Sequence, residues 1–153
     1  MKKFLFLGII AAAFAFTSCD EIEDAIDDFQ KDQAPTYVES KDGLTINVSY
    51  AKNGVGSETE AKFAVDKSGK RHVVSDTICT SLIMKEHFAL ESVAKQVYEE
   101  LKEDSDKDVT ISYDGKKTIT TDMKVYVDYE KPIVVIALQQ ILETYKEAYK
   151  QQQ

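Results

Sequence analysis

Cysteine, histidine, proline and glycine are all scarce in this 153-residue chain, and each scarcity removes a class of explanation. Two cysteines allow at most one disulfide, so a hydrophobic core rather than a disulfide framework must hold the fold. His72 and His87 form neither an HxxxH nor an HExxH pair, which leaves no zinc template. Two prolines and six glycines describe a foldable chain, not a low-complexity one, and no internal repeat is visible. GxGxxG, P-loop and GxSxG patterns are absent, which removes the common nucleotide templates and the nucleophile-elbow serine, and no cofactor is implied. Cations are outnumbered as well. Lysine and arginine number 19 against 27 aspartates and glutamates, a formal charge of −8. A chain of that sign is poorly suited to displacing counterions from nucleic-acid phosphate, and anionic lipid repels it.

What the chain does have is concentrated at its start. Lys2 and Lys3 precede an apolar stretch from Phe4 to Phe16, and the small residues Thr17 and Ser18 stand directly before Cys19. That is the pattern of a secretory signal, and the apolar stretch is well short of the roughly 20 residues a spanning helix needs. Thr17-Ser18-Cys19 resembles the lipobox of bacterial lipoproteins, although Phe16 stands where an aliphatic residue is usual. The resemblance implies removal of residues 1–18 and acylation of Cys19, with chains such as palmitate holding the protein to a membrane at about 0.8 kcal/mol per buried methylene. Ala13-Phe14-Ala15 is an alternative A-x-A cleavage site, which would leave Cys19 as a thiol, free or paired with Cys79.

Residues 19–40 read as a lipidated acidic tether. Asp20 to Phe29 is dense in carboxylates, a composition that favours a solvated segment, and it is similar to the acidic export signal that follows the lipidated cysteine in some Gram-negative surface lipoproteins. Ile22, Ile26 and Phe29 fall at i, i+4 and i+7, the spacing of a short amphipathic helix lying on the domain or on a partner. A calcium cage is disfavoured because the run has no turn glycine.

Residues 41–150 read as one α+β domain. Leu44, Ile46, Val48 and Tyr50 alternate with polar residues, as in a half-buried strand. Asn53 to Ser57 supplies loop residues, and Ala61 to Asp66 leads through Lys67-Ser68-Gly69-Lys70 into a return strand at Arg71 to Ser75. Asp76 to Met84 fits either strand or helix. Leu90, Val93, Val97 and Leu101 mark a helix within Lys85 to Glu103. Val109, Ile111 and Tyr113 then alternate up to a tight turn at Asp114-Gly115. The return strand is expected to run to Tyr129, with Ile119, Met123, Val125 and Val127 on the core side. Pro132 opens a closing helix whose first half is apolar nearly all round, predicting deep burial. The order implies an antiparallel sheet with two helices on one face, a two-layer sandwich.

Few residues in this domain suggest chemistry. Cys79 lies in an apolar, β-branched run, where burial raises its pKa and leaves it inert. His72 on a strand and His87 at a helix start read as surface or capping side chains. Asp104-x-Asp106-x-Asp108 opens like a calcium loop, but Val109 and Gly115 stand where the turn glycine and closing glutamate belong. The outer face of the last hairpin, with Thr110, Ser112, Thr118, Thr120, Lys124 and Tyr126, offers hydroxyls, one cation and one ring to a polar partner. Threonine also simply suits an exposed strand. The sequence thus points to an envelope protein anchored to the outer membrane through Cys19, on its periplasmic or surface side, which binds or scaffolds an envelope protein or polar ligand. A soluble secreted or periplasmic protein, or a hydrolase whose site is assembled from distant residues, is the alternative.

Overall fold

The computed structural model describes residues 32–151; the apolar N-terminus, Cys19 and the acidic run to Phe29 lie outside the described residues. The fold is α+β. Six strands, β1 (Gln33–Glu39), β2 (Thr45–Lys52), β3 (Val55–Val65), β4 (Thr77–His87), β5 (Thr110–Tyr113) and β6 (Thr118–Asp122), form an antiparallel sheet in the order β1-β2-β3-β4-β6-β5. Helix α1 (Glu91–Leu101) lies between β4 and β5, and α2 (Lys131–Gln151) closes the chain.

Several elements differ from the sequence reading, each for a local reason. Residues 33–39, read as tether, form the edge strand β1, where a register shift between Gln33 and Thr36 accommodates Pro35. Asn53 and Gly54 both have positive φ and join β2 to β3 in two residues, so β3 begins at Val55 rather than after a five-residue loop. Arg71 to Ser75 is not a strand, because its backbone donors are taken by a side chain. The Glu130 carboxylate accepts the N–H groups of Val73, Val74 and Ser75 at 2.9, 2.6 and 2.9 Å. The open stretch 76–84 is strand, and β4 runs on to His87 because β3 and β6 pair with it on both sides. Helix α1 therefore starts at Glu91, not Lys85, while Val93, Val97 and Leu101 are buried on the expected stripe.

Gly115 turns the β5–β6 hairpin with φ +80°, but the turn is longer than two residues. Asp114 Oδ1 accepts the N–H groups of Lys116 (2.8 Å) and Thr118 (3.1 Å). A Cβ at Gly115 would meet nothing within 4 Å, so Gly115→Val costs backbone strain alone, about 1–3 kcal/mol in chemical denaturation. An unchanged midpoint would refute the role of the turn. The long return strand is also corrected. β6 ends at Asp122, Lys124–Tyr126 forms a 3-10 turn, and Asp128 at φ 73° brings the chain back so that it exchanges hydrogen bonds with Cys79. Met123 is buried as expected, but Val127 is exposed.

Register places Ile46, Val48, Tyr50, Ala61, Leu82, Met84 and Ile119 on one side of the sheet, and these join one hydrophobic core with residues of both helices. In α2 the buried stripe is Val134, Leu138, Ile141 and Tyr145. Ile133 and Ile136, expected inside, are 48% and 58% exposed, because a helix at the edge of a core buries only one stripe.

Candidate functional site

On the opposite side of the sheet the outward residues line up across strands. Thr36 pairs with Ser49, Ser49 with Glu58, Glu58 with Lys85, Lys85 with Thr120, and Thr120 with Ser112. A second row runs Asn47, Glu60, Ile83, Asp122 and Thr110. The strand period of two produces both rows, since every second residue must face outward. Two shallow hollows indent this face. One, of about 260 Å³, is lined by Gln33, Asn47, Ser49, Tyr50, Ser57, Glu58 and His87; the other, of about 210 Å³, by Asn47, Glu58, Thr59, Glu60, Ile83 and Lys85.

Between the hollows and β6 lies a carboxylate, imidazole and hydroxyl relay. His87 Nδ1 is 3.0 Å from Thr118 Oγ1 and its Nε2 is 3.3 Å from Glu58 Oε1. A nucleophile needs donors aimed at the oxyanion it creates. The N–H of Thr118 itself already donates to Asp114 Oδ1 at 3.1 Å. As built, the relay fixes the orientation of His87 and offers the imidazole edge, the Glu58 carboxylate and hydroxyls to a polar ligand. Gln33 adds an amide that donates to Ser49 Oγ at 3.3 Å.

The chain matches no protein-family model, and neither the curated proteins nor the solved structures contain a match to it. The reading of this face therefore rests on its geometry. Thr110, Ser112, Thr118 and Thr120 do share it. Lys124 and Tyr126 do not, because the strand that would have carried them ends at Asp122. Tyr126 instead packs edge-on against Tyr129, with ring centroids 5.6 Å apart. His87 lies at the end of β4 rather than at a helix start, and His72 in the loop after β3, its Nε2 2.9 Å from Asp66 Oδ2. Cys79 is fully buried, its Sγ is 3.4 Å from the Ser81 carbonyl, and burial holds the thiol pKa up. Among the described residues no cluster of acidic, histidine or cysteine side chains is arranged to hold a metal.

The part of the face on β2, β3 and β4 was not singled out from the sequence. Glu58, Glu60 and Lys62 alternate regularly, but their inward neighbours Ser57 and Thr59 are polar, so hydropathy does not reveal the period. The alternation of charge itself was the available signal.

Proposed function

We propose that this is a lipid-anchored envelope protein that captures a polar partner on the outer face of its sheet and performs no covalent chemistry. The row of Ser49, Glu58, Lys85, Thr120 and Ser112, continuous across five strands, carries the binding reading. The Thr17-Ser18-Cys19 sequence behind a short apolar stretch supports anchoring at the outer membrane. A two-layer arrangement with both helices on the other face supports an uncovered binding surface. Thr59, bonded to Tyr145 of α2, and Tyr113, stacked on Tyr98 of α1 at 5.1 Å, lie on the same side of the sheet by register.

Two measurements test this reading. Intact mass of the membrane-bound protein is expected to show an acylated Cys19 as the first residue; a soluble form beginning at Phe16 with a free thiol would overturn anchoring. In capture from intact envelopes, Lys85→Glu combined with Ser112→Glu is expected to lower recovery of the partner at least tenfold, while Cys79→Ser leaves it unchanged. The relay of Glu58, His87 and Thr118 is the observation that favours the hydrolase reading. A folded His87→Gln variant that loses function, alongside a face variant that keeps it, would make that reading the better one.

A further inference from the structure

Four polar side chains are buried among the apolar inward positions of the sheet: Ser57 and Thr59 on β3, Glu86 on β4 and Thr121 on β6. Register seats Glu86 directly across from Ser57 on one side and Ile119 on the other. Glu86 Oε1 and Thr121 Oγ1 have no hydrogen-bond partner. A polar atom left so inside a core is costly, and a charged one far more so.

Among the described residues no cation is paired with the Glu86 carboxyl. The phenols of Tyr50 on β2 and Tyr145 on α2 face it, and burial, with the Glu86 charge added, pushes both of their pKa values up, so they stay protonated. β6 contributes Ile119 and Thr121, and the buried stripe of α1 is apolar throughout. Glu58, Lys85 and His87 stand on the opposite face of the sheet by strand period. Lys52, two positions beyond Tyr50, is held by Asp32 at 3.3 Å and lies 5.1 Å from the centre of the Tyr149 ring.

Of the elements around Glu86, the C-terminal half of α2 has the fewest ties. Tyr145 rests on Tyr50, with its hydroxyl 2.8 Å from Thr59 Oγ1, and beyond it the helix buries Ala148 alone among the described residues. The ion pairs Lys146–Glu143 and Lys150–Glu147 stay within the helix and fasten it to nothing else. The first half, by contrast, buries Val134, Leu138 and Ile141, and Lys131 Nζ donates to Glu39 Oε2 and the Gly43 carbonyl, each at 2.8 Å. β4 itself is paired on both sides. An ionised Glu86 has to be solvated by water, and water reaches it at least cost by lifting the element with the fewest contacts.

We infer that Glu86 is a proton switch for α2: loss of its proton releases residues 142–151 from the sheet while the strands and the first half of the helix stay in place. The device is independent of what the outer face binds. Its sign follows from burial. The closed form holds the proton up to about pH 8 and the opened form only to about 4.5, so opening is favoured progressively across that window and no further above it.

Hydrogen exchange of the full mature chain carrying Cys19→Ser, from pH 4.5 to 9 and corrected for the intrinsic rate, tests this. The opening constant of amides 142–149 is expected to rise about tenfold per pH unit up to about 8 and then level off. It should exceed that of the β3 and β4 amides at least tenfold at each pH, which separates local release from complete unfolding. In Glu86→Gln, which keeps the shape without the charge, the constant should stay at its acid value throughout. Opening of 142–149 that ignores pH in the parent overturns the proposal. So does exchange that coincides with that of β3 and β4, or a slope that survives in Glu86→Gln.

Discussion

Unfolding free energy is expected to fall as pH rises from about 4.5 to about 8, and Glu86→Gln is expected to flatten that slope. Glu86 is 2% exposed, faces into the core from β4, and its Oε1 has no hydrogen-bond partner among the described residues. Burial raises its carboxyl from the ordinary 4.5 to about 8. The unfolded chain releases this proton near 4.5 and the folded chain only near 8, so the folded form binds the extra proton between these values. Its stabilising effect is complete below about 4.5 and is lost upward through that window, at roughly 1.4 kcal/mol per pH unit. By pH 7 the loss is on the order of 3 kcal/mol. Glutamine keeps the shape without the charge, so the variant should be the more stable protein at pH 7. Glu130, Asp42 and Asp66 act with the opposite sign, since hydrogen bonds hold their carboxyls below the ordinary range, and their contributions disappear only as pH falls through that lower region. Urea midpoints from pH 4.5 to 8 measure the effect; parallel slopes for parent and variant would refute it.

Tyr145→Ala should lower the unfolding free energy by about 3–5 kcal/mol, the largest loss expected from a single truncation in this core. Tyr145 is wholly buried, its ring centroid is 4.9 Å from that of Tyr50, and its hydroxyl is 2.8 Å from Thr59 Oγ1. It ties α2 to the middle of the sheet, and the cavity left by alanine cannot close without shifting a strand. Tyr145→Phe isolates the hydroxyl: it should cost about 1–3 kcal/mol, because Thr59 then loses its partner inside the core. A phenylalanine variant as stable as the parent, in denaturant titrations at pH 7, would mean that the bond contributes nothing. Because Glu86 lies near both tyrosines, its variant and those of Tyr145 are not expected to be additive.

Legibility followed polarity. β2, α1 and α2 were readable because apolar residues recur on one side of each: Ile46, Val48 and Tyr50; Val93, Val97 and Leu101; Leu138, Ile141 and Tyr145. Where the inward positions are polar, the signal failed. Ser57 and Thr59 in β3 and Glu86 in β4 face the core, so the start of β3 was read as loop and the end of β4 as helix. The same failure hid Glu58, Glu60, Lys85 and His87 as members of the candidate face, although Thr110, Ser112, Thr118 and Thr120 were identified on the final hairpin. Lys124 and Tyr126 were misplaced because alternation continues in the sequence after Asp122, whereas the backbone turns to pair with Cys79.

The sequence by itself determined the α+β class, the two helical stripes and the glycine turn of the last hairpin, because each depends on neighbours within a few residues of one another. Tertiary structure alone decided the rest. The strand order places β6 between β4 and β5, the carboxylate of Glu130 converts an expected strand into a loop with exposed valines, and register assembles one polar face from five strands. Those outcomes depend on which distant groups satisfy a given backbone N–H, and local periodicity carries no record of that choice.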